Sequence, residues 1–152
     1  MIFIDTNPDA PQEADAALLE KAAQAALTHQ NAPQPADLTI MLGDDPQLHQ
    51  LNLEYLGIDA PTDVLSFPAN ETDPETGDVY LGDIIISVPR AKLQAAAAEH
   101  EVEAELQLLV VHGVLHLLGH DHAEAEEKAR MWQAQAEILK MLGLGDMKIR
   151  EE

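Results

Sequence analysis

Apolar positions recur along this chain with two different periods, and the switches between them mark its elements. "MIFIDT" opens as a short strand. Over residues ~12–29, "PQEADAALLEKAAQAALTHQ" places apolar side chains at helical spacing among strong helix formers. After the proline-rich connection "NAPQPAD", "LTIML" alternates with branched residues and reads as a strand. "GDDPQLHQLNLEYLG" begins with a capping Asp-Pro pattern and predicts a helix that ends at Gly57. "VLSF" and "DIIISV" read as two strands of a hairpin, joined by the polar and mobile loop "PANETDPETGD". Two helices follow: "PRAKLQAAAAEH", opening on Pro89, and "EVEAELQLLVVHGVLHLLG", closed by Gly119 near a C-cap position. The second is apolar nearly all round, the mark of a buried central helix. "AEAEEKARMWQAQAEILKMLG" is the last helix, and "LGDMKIREE" is a charged tail.

The order β-α-β-α-β-β-α-α-α predicts an α/β (α+β) fold. It is a single domain over residues 1–152, a small mixed four-stranded sheet with helices packed on it. The last three helices are expected to supply the buried scaffold. No repeat or low-complexity tract interrupts this pattern.

Composition narrows the chemistry. There is no cysteine, which excludes disulfides, thiolate metal sites and cysteine nucleophiles. The N-terminus has no basic region followed by a long apolar run, so no signal peptide is expected, and no apolar segment is long enough for a membrane span. A cytoplasmic location is compatible with both. The net charge of −20 argues against a generic polyanion binder. Six of the eight basic residues fall in close pairs, Arg90/Lys92, Lys128/Arg130 and Lys148/Arg150, which leaves a local positive patch open.

Four of the seven histidines lie in the apolar stretch "VVHGVLHLLGHDH", residues 110–122. A buried imidazole needs partners for its donor and its acceptor. His112 and His116 are one helical turn apart on one face, so both rings can share one metal ion. A turn at Gly119 would bring back His122 as third ligand. His120 competes for that place, because 112, 116 and 120 form a stripe if the helix continues. The helix-breaking glycine favours His122. Three imidazoles with an open fourth position suit a catalytic Zn2+ on a zincin-like buried helix. Nickel, cobalt or copper would also bind three nitrogens. Asp121 is a candidate to orient a ligand or touch substrate. The same ligand spacing occurs in metzincin peptidases, which carry a glutamate base directly after the first histidine. Here that position is Gly113, and no glutamate lies between His112 and His122.

"HGVLHLLGHDH" closely resembles the H-G-x-L-H-L-x-G-x-D-H signature of the YbeY endoribonucleases, also called rRNA maturation factors. "LNLEYLGIDAPTDVLSFP" and "LGDIIIS" are similar to two further segments of that family, in the same order. The resemblance implies one zinc ion on His112, His116 and His122. It also implies cleavage of single-stranded RNA in 16S rRNA 3′-end maturation and ribosome quality control, with ribosomal proteins or the 30S subunit as partners and no membrane or DNA partner. Within the matched segments, Asp63, Ser66 and Asp83 are candidate cleft residues. One departure matters. The family usually has arginine after the tyrosine matched by Tyr55, whereas this chain has Leu56, so a guanidinium suited to phosphate is replaced by an alkyl group. Arg90 and Arg130 are the candidate substitutes.

Three functions follow as competing expectations. The first is a zinc-dependent endoribonuclease, with water at the metal or the RNA 2′-hydroxyl as nucleophile. The second is a metallohydrolase acting on peptides or small amides. The third is a non-catalytic zinc-containing assembly factor. The acidic surface predicts weak binding to free RNA, salt-sensitive at any basic patch.

Overall fold

The computed structural model describes residues 1–6, 15–32 and 36–147. The alternating strands form one four-stranded sheet in the order β1-β2-β4-β3. Strand β1 (Ile2–Thr6) runs parallel to β2 (Ala36–Gly43), and β2 parallel to β4 (Val79–Ser87). Strand β3 (Val64–Thr72) runs antiparallel to β4 at the far edge. The helices are α1 (Ala16–His29), α2 (Asp45–Leu56), α3 (Val88–Ala98), α4 (Val102–Leu117) and α5 (Ala125–Met141). The mixed sheet and the element order are those the sequence predicts. The expected start of α1 near residue 12 and the end of the charged tail lie outside the described residues.

Local chemistry sets the element ends. Asp44 caps α2 by accepting from the Gln47 N–H at 3.0 Å, and Gly57 closes that helix in the left-handed region at φ 71°. Ser87 caps α3, and its hydroxyl also donates to Asp45 at 2.7 Å.

The hairpin departs from its expected outline. Residues 68–72 and 79–82, read from sequence as loop or left outside "DIIISV", belong to the strands, and the turn shrinks to Asp73–Asp78. These extensions pair through the backbone (Thr72↔Val79) and interrupt register between Pro68 and Glu71, where Asn70 has φ 50°. Residues 68–72 are mostly exposed, and in 79–82 a single apolar side chain, Leu81, is buried, so no apolar alternation announces them.

The sheet buries both faces. Leu38, Ile40, Leu42, Ile84 and Ile86 join a core with α1, α3, α4 and α5. Met41, Leu65 and Ile85 face the other way, onto Leu48 and Leu51 of α2. The scaffold is therefore not confined to the last three helices, since Leu19, Ala22, Ala23, Ala26 and Leu27 of α1 are part of the same core. Helix α4 packs against α1, α3, α5, β3 and β4, which is why its sequence is apolar all round. It lies close against the sheet at Gly113, where a Cβ would come within 2.8 Å of Ile84 Cγ2.

Candidate metal centre

His112 and His116 project from the last turns of α4, with ring centroids 4.7 Å apart and their Nε2 atoms at 3.2 Å. The helix ends in a Schellman motif. The Gly119 N–H donates to His116 O at 3.0 Å and the His120 N–H donates to Leu115 O at 3.0 Å, with Gly119 at φ 100°. The chain reverses there and brings the His122 ring to 5.8 Å from His112 and 5.2 Å from His116. One nitrogen from each of the three lies within 4.8 Å of the others, so this group can hold a metal ion.

The outer hydrogen bonds fix which nitrogens point inward. His112 Nδ1 donates to the Gln135 side-chain oxygen at 3.0 Å, and His116 Nδ1 donates to the His120 carbonyl at 2.9 Å. Both Nε2 atoms then present lone pairs to one another, an arrangement that repels unless a cation sits between them. Two nitrogens about 2.0–2.1 Å from a shared tetrahedral ion would lie roughly 3.3 Å apart, close to the separation found here. The donor set and its orientation therefore fit a divalent ion of the zinc type.

Burial is the largest influence on both helical ligand candidates. It pushes the His112 imidazole below its ordinary value, with the hydrogen bond to Gln135 and then the carboxylate of Asp63 pulling the other way. Burial, reinforced by His112, lowers His116 to about 4. Both rings are thus neutral at pH 7, the form that binds metal. In the metal-free protein the unfolded chain takes up a proton on position 116 below about pH 6.5, whereas the folded one refuses it until about pH 4. The His116 contribution to stability is therefore lost as pH falls through that window. Urea midpoints of metal-free wild type are expected to drop more between pH 7 and pH 4.5 than those of His116→Ala. Parallel drops would contradict this reading.

A cleft of about 620 Å³ opens over the three histidines, between the end of α2, strand β3 and the 119–122 turn. Asp63, Ser66 and Asp121 line it. Asp63 accepts from the Val64 N–H at 2.8 Å, Asp121 from the His122 N–H at 2.7 Å, and the Ser66 hydroxyl donates to Gly113 O at 3.3 Å. Asp83 is placed elsewhere. It is not among the cleft-lining residues, because it alternates with Ile84 and Ile86 and so faces α2, in a network with Tyr80 and Thr39. A second depression of about 310 Å³ continues from His116 and Gly119 to Asn70 and Val79 on the hairpin.

Leu56, 58% exposed, lines the cleft with Ile58. Among the described residues, no lysine or arginine lines it. Arg90 does not substitute for the missing guanidinium, since its Nε and Nη2 hold Asp45 at 3.3 and 3.0 Å. Arg130 borders an adjoining hollow with Gly119, His120 and Asp121. Lys128 stands over the Trp132 ring at 5.6 Å, and Lys148 and Arg150 lie outside the described residues.

His120 turns away from the cluster, its Nε2 bonding the Gln30 side chain at 2.7 Å. Sequence reasoning missed Gln135, which is 1% exposed. Its signal was a polar residue on the stripe Met131, Ala134, Ile138, where the α5 pattern demands an apolar one. Asn52 was missed too; it is buried at the cleft wall and donates to Ala60 O at 2.9 Å.

A family model described as Endoribonuclease YbeY matches residues 3–143. The Endoribonuclease YbeY of Agathobacter rectalis is 43% identical over 142 residues, covering 82% of this chain and 86% of that one. That of Chloroflexus aurantiacus is 43% identical over 151 residues, covering 95% and 98%. The solution structure of a Thermotoga maritima protein shares the fold, with a TM-score of 0.56 over 100% of this chain and 99% of that one at 23% identity. With the sheet order, the histidine-bearing helix and a match along nearly its whole length, the chain belongs to the endoribonuclease YbeY family.

Proposed function

We propose that this protein is a metal-dependent endoribonuclease that cuts single-stranded RNA, with one zinc ion held by His112, His116 and His122. The observation that carries the reading is the meeting of three imidazole nitrogens in a cleft open on both sides of them. When bound there, zinc supplies Lewis acidity and stabilises charge developing at the scissile phosphate. The chain's own part is positioning. Gln135 and the His120 carbonyl hold two imidazoles with Nε2 inward. The depressions on either side of His116 leave room for a strand to continue in both directions, as internal cutting requires. Asp63, Ser66 and Asp121 line the cleft, which supports a role for them in touching substrate.

Binding to free RNA is expected to be weak, because the net charge is −20 and no cation lines the cleft among the described residues. A ribosomal protein or the 30S subunit would then present the RNA, in 16S rRNA 3′-end maturation in the cytoplasm.

The test offers zinc-loaded protein a short single-stranded RNA, the same sequence as a duplex, and casein. Internal cuts in the single strand alone are expected. Casein digestion would favour the peptide-hydrolase reading, and inertness toward all three the assembly-factor reading. Leu56→Arg restores a phosphate-binding group, so it should tighten RNA binding at low salt. Each additional phosphate neutralised on a single strand steepens the salt slope by about 0.7. An unchanged slope would show that residue 56 does not face the RNA backbone. Loss of cutting on 2′-deoxy substitution would assign the nucleophile to the RNA.

A further inference from the structure

We infer that Gln30 is a positioning residue for the metal centre, acting through His120. This rests on the three-histidine reading above. Gln30 is the C-cap residue of α1, far from His120 in sequence. Its side-chain oxygen accepts from His120 Nε2 at 2.7 Å, and its amide nitrogen donates to His29 Nδ1 at 2.9 Å. His29 Nε2 in turn reaches Glu137 at 3.5 Å. One arrangement of protons satisfies every link. An amide oxygen can only accept and an amide NH2 can only donate, so Gln30 fixes both tautomers at once.

His120 is thereby pinned at three points. Its N–H closes the end of α4 on Leu115, its carbonyl receives His116 Nδ1, and its ring is held by α1. Among the described residues, the Gln30 bond is the one hydrogen bond that ties residues 119–123 to an element other than α4. Asp121 and His122 themselves are exposed. The tether thus restricts the turn that carries His122 and holds the carbonyl that aims His116. Without it, the metal must order that turn on binding, and the His120 carbonyl that the tether holds bonds a ligating histidine directly, a type of contact worth about 10–100-fold in metal affinity.

The experiment measures zinc affinity of metal-free wild type, Gln30→Leu, Gln30→Glu and His120→Ala by competition with a chromogenic chelator. Fluorescence of Trp132, whose ring centroid lies 5.8 Å from that of His122, is read in parallel. Gln30→Leu is expected to bind zinc at least about tenfold more weakly. Gln30→Glu keeps an acceptor for His120 Nε2–H and is expected to lose well under the roughly tenfold lost by Gln30→Leu. His120→Ala should match Gln30→Leu, with the double variant no weaker than either. His120→Ala carries the test if Gln30→Leu does not fold. Wild-type affinity in Gln30→Leu and His120→Ala, or equal weakening by Gln30→Leu and Gln30→Glu, would overturn the inference. Failure of wild type itself to bind zinc would instead overturn the metal-centre reading.

Discussion

His116→Ala protein is expected to lose its metal ion during ordinary purification and to cut single-stranded RNA at roughly a hundredth of the wild-type rate or less. Apparent binding energies of about 10–16 kcal/mol for four-ligand zinc sites give roughly 2.5–4 kcal/mol per ligand, or about seventy- to nine-hundredfold in affinity. A three-ligand site has less to spare than a four-ligand one. His116 is also the middle member of the group, with rings of His112 and His122 at 4.7 and 5.2 Å. Its removal leaves the His120 carbonyl without the N–H it now receives. Metal-to-protein ratio by elemental analysis, beside initial rates of RNA cleavage, checks both halves. A variant that keeps one ion per chain would remove His116 from the ligand set.

The second large effect is on folding. Gly113→Glu places a glutamate where metzincin peptidases carry their base, yet it is expected to yield protein that is largely unfolded or insoluble, with no peptidase activity. The position faces strand β4, not the cleft, because a Cβ there meets Ile84 Cγ2 at 2.8 Å and Cγ1 and Cδ1 at 3.1 Å. Overpacking costs about 1–3 kcal/mol. An unpaired carboxylate driven into that core adds several kcal/mol. Together these approach the roughly 5–15 kcal/mol that holds a domain folded. Gly113→Ala separates the two contributions. Its overpacking is partly offset by the ~1 kcal/mol that alanine gains over glycine in a helix, so a fall of only a few degrees in Tm is expected. A soluble Gly113→Glu protein with wild-type Tm would show that α4 does not lie against β4 as described.

Much of this site was legible before the fold. His112 and His116 share a helix face by spacing alone, and Gly119 marked where the helix had to stop. Both are local signals, read within one turn. Asp83 was not legible, because Ile84, Ile85 and Ile86 are apolar on both faces of a sheet covered on both sides. The sequence cannot then say which face of β4 carries the histidine helix. The end of β3 escaped for the opposite reason: residues 68–72 pair through the backbone with little burial behind them. Gln135 carried a readable sign, a polar residue on a buried stripe. Gln30 carried none, since its partner lies across the fold and its own position at a helix end is ordinary for glutamine. His120, a rival for the third ligand by spacing, is explained only by that distant partner.

Removal and return of metal tests the proposed centre most directly. Wild-type protein is stripped with chelator, assayed on single-stranded RNA, then reconstituted with one equivalent of zinc and assayed again. One ion is expected to bind per chain, with cleavage lost on stripping and restored at one equivalent, and neither binding nor restoration in His116→Ala. Full cleavage by stripped protein shown to be metal-free would contradict a metal-dependent mechanism.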